Sequence, residues 1–417
     1  MTTSPLDVAL IRKDFPILQR TMNGNRLSYL DSGSSSQKPQ MVLDAMDEYY
    51  EFHHANVHRG AYTLAAEADA AYEGARADVA RFVGANDAAE IIFTKNATES
   101  INLVAQTWAQ QNIGRGDAIL LSELEHHSNI VPWQMLRERV GCEIRVIPIT
   151  SDGLLDLTNL DKLLDGVKLL SITAMSNVTG TRPPIQLLTK RAHDAGALVL
   201  LDACQSVPHE ASNFAALDVD FAVFSAHKMC GPTGIGVLYG KRALLDAMPA
   251  FLGGGSMIRD VRLAGLDNDG FDTAEVPQKF EAGTPPIAEA VGLGAAVRYL
   301  EAIGINRILE HEMQLTQKLL VALDAAFDKQ IQIFGSLDLT QRGGVVSFSF
   351  ENVHPHDLSQ VLDDNGVCVR AGHHCAKPLM RRLGVSSTAR ASLYLYNDVD
   401  DIEALVDGLA KASKIFG

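Results

Sequence analysis

Between residues 91 and 239, seven short apolar runs alternate with stretches of helical periodicity, and few chain architectures accept that rhythm. The runs are Ile91–Phe93, Ala118–Leu121, Ile144–Ile147, Leu169–Thr173, Leu198–Leu201, Phe221–Phe224 and Gly236–Tyr239. Between them, Ile101, Val104, Ala105 and Trp108 recur at the spacing of one buried helix face, and residues 130–140 and 186–195 read similarly. Such alternation predicts an α/β fold with a mostly parallel, doubly wound sheet. Ligands in such sheets sit at the carboxyl ends of strands, so the residues just after each run are candidates for chemistry.

The character changes after about Pro285. Residues 287–327 read as two helices, the first rich in Ala and Gly. A strand over Gly344–Phe350, a helix near Pro355–Asn365, strands at Val367–Arg370 and Ala391–Leu395, and a closing helix from Asp398 follow. These form a smaller α+β unit. The N-terminal segment is expected to pack with it, because a short amphipathic arm alone cannot bury its apolar face. At 417 residues the chain is too long for one compact core. The expected division is a large α/β domain, residues 30–295, and a small α+β domain built from 1–29 and 296–417.

A net charge of −15 excludes any general attraction for nucleic acid or an anionic membrane. No apolar run reaches membrane-spanning length, and Asp7, Arg12, Lys13 and Asp14 interrupt the N-terminus where a secretory signal would be apolar. The five cysteines, Cys142, Cys204, Cys230, Cys368 and Cys375, are odd in number and form no CxxC pair. Neither a disulfide scaffold nor a metal site is expected, and a reducing cytoplasm is the expected compartment.

The segment FSAHKMCGPTGIG carries the strongest chemical signal. Lys228 follows an apolar run, flanked by Ser225 and His227, and the chain breaks at Gly231-Pro232. An amine at the end of a sheet can form a Schiff base with an aldehyde cofactor such as pyridoxal 5'-phosphate; taken alone, a surface lysine explains it better. Asp202 ends the run ALVLLDA and lies one strand–helix–strand step earlier. It can pair with a protonated pyridine nitrogen, or simply cap a helix. Residues 94–99, with Ala97 and Thr98 among them, open a helix after Ile91–Phe93, where free backbone N–H groups suit a phosphate; plain capping by Thr98 explains the turn equally well. His126 follows Ala118–Leu121 and can stack on a pyridine ring and exchange protons. Cys375, in the loop RAGHHCAKP, has Arg370 and two histidines nearby, and a thiol beside positive charge is a candidate nucleophile. Arg390 can fork onto a substrate carboxylate.

From YLDSGSSSQKP through NVHRG, NATESINLVA, EHHSNIVPW, SNVTG, DACQSVPH, SAHKMCGPTGIG, FEAGTPP and RAGHHCAKPLM to ARASLYLYN, the chain resembles the SufS-like cysteine desulfurases. These belong to the class V aminotransferase relatives of the fold-type I pyridoxal phosphate enzymes. The resemblance implies removal of sulfur from L-cysteine, giving L-alanine and a persulfide on Cys375 that passes to an acceptor protein for iron–sulfur cluster assembly. It implies that Lys228 holds the cofactor, Asp202 pairs with its ring nitrogen and Gln205 with its phenolic oxygen, and His126 stacks on the ring. Ala97, Thr98, Ser225 and His227 would bind the phosphate, with Thr284 reaching in from the second subunit of a homodimer. Asn177, Arg370 and Arg390 would hold substrate, and His58 and Arg59 would line the pocket. The chain departs from the common pattern at Ala226, Cys230, Asn96-Ala97, Ser256 and Gly33-Ser34. The alternatives are a selenocysteine lyase or dual-substrate lyase, a transaminase on the same fold, and a non-catalytic scaffold.

Overall fold

The computed structural model describes residues 5–58, 60–263, 265 and 269–416. All seven apolar runs are strands of one sheet: β1 (Ile91–Thr94), β2 (Ala118–Ser122), β3 (Glu143–Ile147), β4 (Val167–Thr173), β5 (Leu198–Asp202), β6 (Phe221–Ser225) and β7 (Gly236–Gly240). Their order is β1-β7-β6-β5-β4-β2-β3. Only β7 runs against its neighbours, because the turn at Gly231-Pro232 is too short for a crossover. The parallel pairs are joined by helices, among them α3 (Val131–Val140) and α4 (Ile185–Asp194).

Successive strand residues enter different cores. Ile91, Phe93 and Leu120 face the side covered by α1 (Thr63–Phe82) and α5 (Ile287–Ile303). Ile92, Ile119 and Leu121 face the other side, with Ile101 and Val104 of α2 (Ala97–Gln106). Each such aliphatic side chain contributes about 1.5–3 kcal/mol on burial.

The smaller body is an antiparallel sheet of β8 (Ile331–Phe334), β9 (Val345–Phe350), β10 (Arg370–Gly372) and β11 (Thr388–Ser392), in the order β8-β9-β11-β10. Helices α6 (Ile305–Phe327), α7 (Pro355–Asp363) and α9 (Val399–Phe416) cover it, and Leu319, Val346, Phe348, Leu362 and Leu405 fill the space between. Helix α8 (Lys377–Arg382) lies between β10 and β11 in sequence. The N-terminal segment docks here: Ser28–Tyr29 pairs in parallel with Val367–Cys368, and the Arg12 guanidinium donates to the Tyr396 carbonyl at 2.9 Å.

Two features differ from expectation. The strand expected over Val367–Arg370 is two strands, because Val367–Cys368 pairs with the N-terminal segment and β10 pairs with β11. The late strand spans residues 388–392 instead of 391–395; Leu393, Tyr394 and Leu395 are apolar because they are buried, not because they pair.

Candidate active site

Five strand ends of the large sheet and one loop of the small one meet around a cavity of about 250 Å³. Ala97, Thr98, His126, Asn177, Asp202, Gln205, Ser225, His227, Lys228, Arg370, Cys375 and Arg390 all line it.

At the end of β1, Asn96 caps α2: its Oδ1 accepts from the Glu99 N–H at 3.0 Å. The Ala97 N–H donates to Ser225 Oγ at 2.9 Å, so the helix opening and the end of β6 form one cradle of donors. Strand β7 passes close behind. A Cβ on Gly236 would stand 2.5 Å from Asn96 Cα, so only glycine allows this approach. Thr98 Oγ1 lies 2.7 Å from Ser128 Oγ, and the Ser128 N–H donates to His126 Nδ1 at 3.1 Å. With Nδ1 accepting, the ring proton of neutral His126 sits on Nε2. Burial, then the charge of Lys228, holds His126 down at about 4, so it is neutral near pH 7. The same two causes hold His227 at about 4.

Behind His126, Glu125 is fully buried and accepts from Ser122 Oγ, Asn129 Nδ2 and the Thr173 N–H. Burial outweighs these donors and pushes its carboxyl up to about 8. Lys228 leaves β6 in a short turn anchored on its predecessor. The His227 carbonyl accepts from the Ser36 N–H at 2.9 Å, Ser35 Oγ at 3.1 Å and Lys38 Nζ at 3.2 Å.

The small body supplies the thiol and the guanidinium groups. His374 and Cys375 both have left-handed backbones, with φ of +50° and +55°. That costs on the order of 1 kcal/mol each for non-glycine residues. Fixed partners offset it. Asn177 Nδ2 donates to the His374 carbonyl at 2.7 Å, and the His127 N–H donates to the Cys375 carbonyl at 2.8 Å. The Cys375 N–H donates to His373 Nδ1 at 3.1 Å, and the Lys377 N–H to His127 Nε2 at 2.9 Å. Arg390 is buried and donates to the Asn177 carbonyl at 2.8 Å, Ser34 Oγ at 2.6 Å and Asp31 Oδ1 at 3.1 Å. Arg370 reaches the same Ser34 Oγ at 3.0 Å.

Two expected residues are not brought to this cavity. His58 is held by the α1 carboxylates: its Nε2 pairs with Glu73 Oε1 at 3.1 Å and its backbone N–H bonds Asp69. Its ring packs edge-on against Tyr72 at 5.7 Å, and the bond to Glu73 raises its pKa. Thr284 is exposed and lines no part of its own chain's cavity. Arg59 lies outside the described residues. The sequence reading also missed Asp31, Ser34, Ser128 and Cys204. Ser128 could have been found, two residues after His126. Cys204 lines the cavity too, but burial raises its pKa and keeps the thiol protonated. Among the described residues, no group of three or more His, Cys, Asp or Glu could hold a metal ion, and no helix is long and apolar enough to cross a membrane.

The residues fit pyridoxal phosphate. The cavity has one amine, one carboxylate at the end of β5, and the Gln205 amide, whose Nε2 donates to the Gly33 carbonyl at 2.7 Å and has a second N–H, while its Oε1 is buried without a partner. It also has the donor cradle at Ala97 and Ser225 that Gly236 keeps open.

Residues 28–405 match the family described as aminotransferase class-V. The chain is 49% identical to a probable cysteine desulfurase of Streptomyces coelicolor, with both chains fully covered. It is 47% identical to a cysteine desulfurase of Klebsiella pneumoniae, over 98% of this chain and 99% of that one. Its fold is similar to the apo structure of a cysteine desulfurase from Thermococcus onnurineus, with a TM-score of 0.92 and 39% identity over 99% of this chain and all of that one.

Proposed function

The chain belongs to the class V aminotransferase family, and from that premise we propose that it is a cysteine desulfurase that binds pyridoxal 5'-phosphate and converts L-cysteine to L-alanine. The sulfur is left as a persulfide on Cys375. One observation carries the reading: the Lys228 amine and the Cys375 thiol, from different bodies of the fold, line the same cavity.

Pyridoxal phosphate, when bound, supplies an aldehyde that links to amines and a ring that takes up the electron pair left by a broken Cα–H bond. Lys228 would hold it and, once displaced by the substrate amine, would carry the Cα proton. Asp202 would hold a proton on the ring nitrogen, and Gln205 would bond the phenolic oxygen. The phosphate would lie against the N–H of Ala97 and the side chains of Thr98, Ser225 and His227. Neutral His126, with its proton on Nε2, is set to donate toward the reacting face. Arg390, Arg370 and Asn177 would fix the substrate carboxylate, which turns the substrate sulfur toward Cys375. The left-handed turn, pinned on both sides, keeps the Cys375 thiol from swinging away.

The same proposal includes a homodimer in which Thr284 completes the partner's phosphate site, and transfer of the sulfur to an acceptor protein for iron–sulfur cluster assembly. It also includes residence in the cytoplasm and a working division into residues 30–295 and 1–29 with 296–417. Incubation of the purified holoenzyme with L-cysteine tests the reaction. Alanine and a Cys375 persulfide are expected in equal amounts. Cys375→Ala is expected to lose L-cysteine desulfuration by at least about a hundredfold, as for other removed nucleophiles, while still cleaving selenocysteine. Undiminished desulfuration by Cys375→Ala would remove the nucleophile assignment, and a keto acid that keeps the sulfur, in place of alanine, would favour a transaminase.

A further inference from the structure

Two guanidinium groups meet at one hydroxyl in the cavity wall. Ser34 Oγ donates its proton to Asp31 Oδ1 at 2.6 Å and accepts from Arg390 Nη2 at 2.6 Å and Arg370 Nη1 at 3.0 Å. A hydroxyl has one proton and two lone pairs, so this oxygen is fully spent. The two arginines depend on it unequally. Arg390 is buried and is held by the Asn177 carbonyl and Asp31 as well. The Arg370 side chain is 44% exposed and, among the described residues, hydrogen-bonds to Ser34 alone; its ion pair with Asp31 is loose, at 4.0 Å. Asp31 is the one carboxylate paired with either guanidinium among the described residues, so one positive charge is left over. Arg390 Nε, in the same wall, is buried without a partner. A surplus cation and an unspent buried donor call for an anion.

The backbone fixes where the hydroxyl stands. The Ser34 N–H donates to the Asp31 carbonyl at 3.0 Å, the Gly33 N–H to Ser392 Oγ at 2.8 Å, and the Tyr29 hydroxyl to the Ser35 carbonyl at 2.7 Å. Immediately after Ser34, Ser35 Oγ and the Ser36 N–H bond the His227 carbonyl, one residue before Lys228. One segment, residues 31–36, therefore sets the guanidinium pair relative to the amine that an incoming substrate amine displaces.

We propose that Ser34 is a specificity-determining positioning residue: its hydroxyl holds Arg370 beside Arg390 as a fork for an α-carboxylate, so the site selects amino acids over amines with the same side chain. The proposal rests on the desulfurase reading, which takes Arg370 and Arg390 as the residues that fix the substrate carboxylate. Without the hydroxyl, Arg390 keeps Asn177 and Asp31, whereas Arg370 keeps no hydrogen bond. The loss therefore passes through Arg370 and falls on ligands that carry a carboxylate.

Titration of the cofactor absorbance of the holoenzyme with L-alanine and with ethylamine tests this, because the two differ by the carboxylate alone. Ser34→Ala keeps Cβ and removes only the oxygen. It is expected to weaken L-alanine about tenfold, the size of one charge-assisted hydrogen bond, and to leave ethylamine within about twofold of wild type. KM for L-cysteine is expected to rise by the same factor with kcat nearly unchanged. Arg370→Ala alone is expected to reproduce the loss, and adding Ser34→Ala to it to change L-alanine binding by less than about twofold. A crystal structure of the cofactor-free Ser34→Ala chain is expected to show Arg370 without a fixed position. Equal weakening of both ligands, unchanged L-alanine binding, or a full tenfold loss on top of Arg370→Ala overturns this proposal alone. Wild-type holoenzyme that forms no alanine from L-cysteine overturns the desulfurase reading, whatever Ser34 does to L-alanine binding.

Discussion

Arg390 is a guanidinium withdrawn from water and held by a carbonyl, a hydroxyl and a carboxylate. Burial lowers its pKa, but a guanidinium stays charged, so its neighbours must accept its N–H groups. Lysine offers a point charge and cannot serve Asn177, Ser34 and Asp31 at once. Arg390→Lys is therefore expected to raise KM for L-cysteine by about 10- to 100-fold, the equivalent of one to two charge-assisted hydrogen bonds, with a smaller change in kcat. Steady-state kinetics checks this; an equal fall in kcat with KM unchanged would assign Arg390 to the reacting atoms instead. Arg390 itself was legible from its place beside a late strand and from the resemblance. Asp31 was not, because nothing in the spacing of residues 31 and 390 says they meet. The bridge between Asp31 and Ser392, with the Ser392 N–H donating to the Leu30 carbonyl at 2.7 Å, brings them together. His58 fails for the opposite reason: its motif is in the chain, but Glu73 and Asp69 claim its ring and backbone.

At the scale of elements, the large sheet was readable because six of its strands are buried on both faces and appear as apolar runs; the edge strand β3 is half-exposed and carries Arg145. The same signal misplaced β11, where burial continues past the last paired residue into Leu393, Tyr394 and Leu395. Strand β8 escaped notice because Gln332 interrupts its four residues. The close approach of β7 to the start of α2 was not legible, because it depends on packing between elements. In Gly236→Ala the added Cβ would meet Asn96 Cα at 2.5 Å and the Ala97 nitrogen at 2.9 Å, backbone atoms that cannot step aside singly. The turn must shift, at a cost of about 1–3 kcal/mol. A lower melting temperature of the cofactor-free chain and roughly tenfold faster loss of pyridoxal phosphate on dialysis are expected, since 1.4 kcal/mol is a factor of ten. Retention equal to wild type would show that the cradle does not hold the phosphate.

For the whole molecule, the cavity sets a pH limit on the fold. Burial holds His126 and His227 at about 4 and His374 at about 3, against an ordinary value near 6.5. Between those limits the unfolded chain binds protons that the folded chain does not. Stability from these groups is complete above about pH 6.5 and is lost as pH falls toward 4, by up to about 1.4 kcal/mol per pH unit for each histidine. Glu125, held up at about 8 by burial, takes up its proton in the folded chain over this range and offsets part of the loss. The melting temperature of the cofactor-free chain is therefore expected to fall from about pH 6 to pH 5, where the three histidines outweigh it, and His374→Asn to flatten that fall; an unchanged slope in the variant would mean that His374 protonates freely in the fold. The change to a smaller α+β body was visible near residue 285, and so was the docking of the N-terminal segment on it, whereas the closure of that body by parallel pairing of Ser28–Tyr29 with Val367–Cys368 was not. That closure orders events during synthesis. The amine-bearing half leaves the ribosome first, and its partner strands at 367–368 and 388–392 emerge only near the end of translation to meet residues 28–31. A nascent chain thus has the floor of its pocket long before it has a reactive sulfur above it, and a truncated product lacking the last fifty residues would carry the lysine with no thiol to use it.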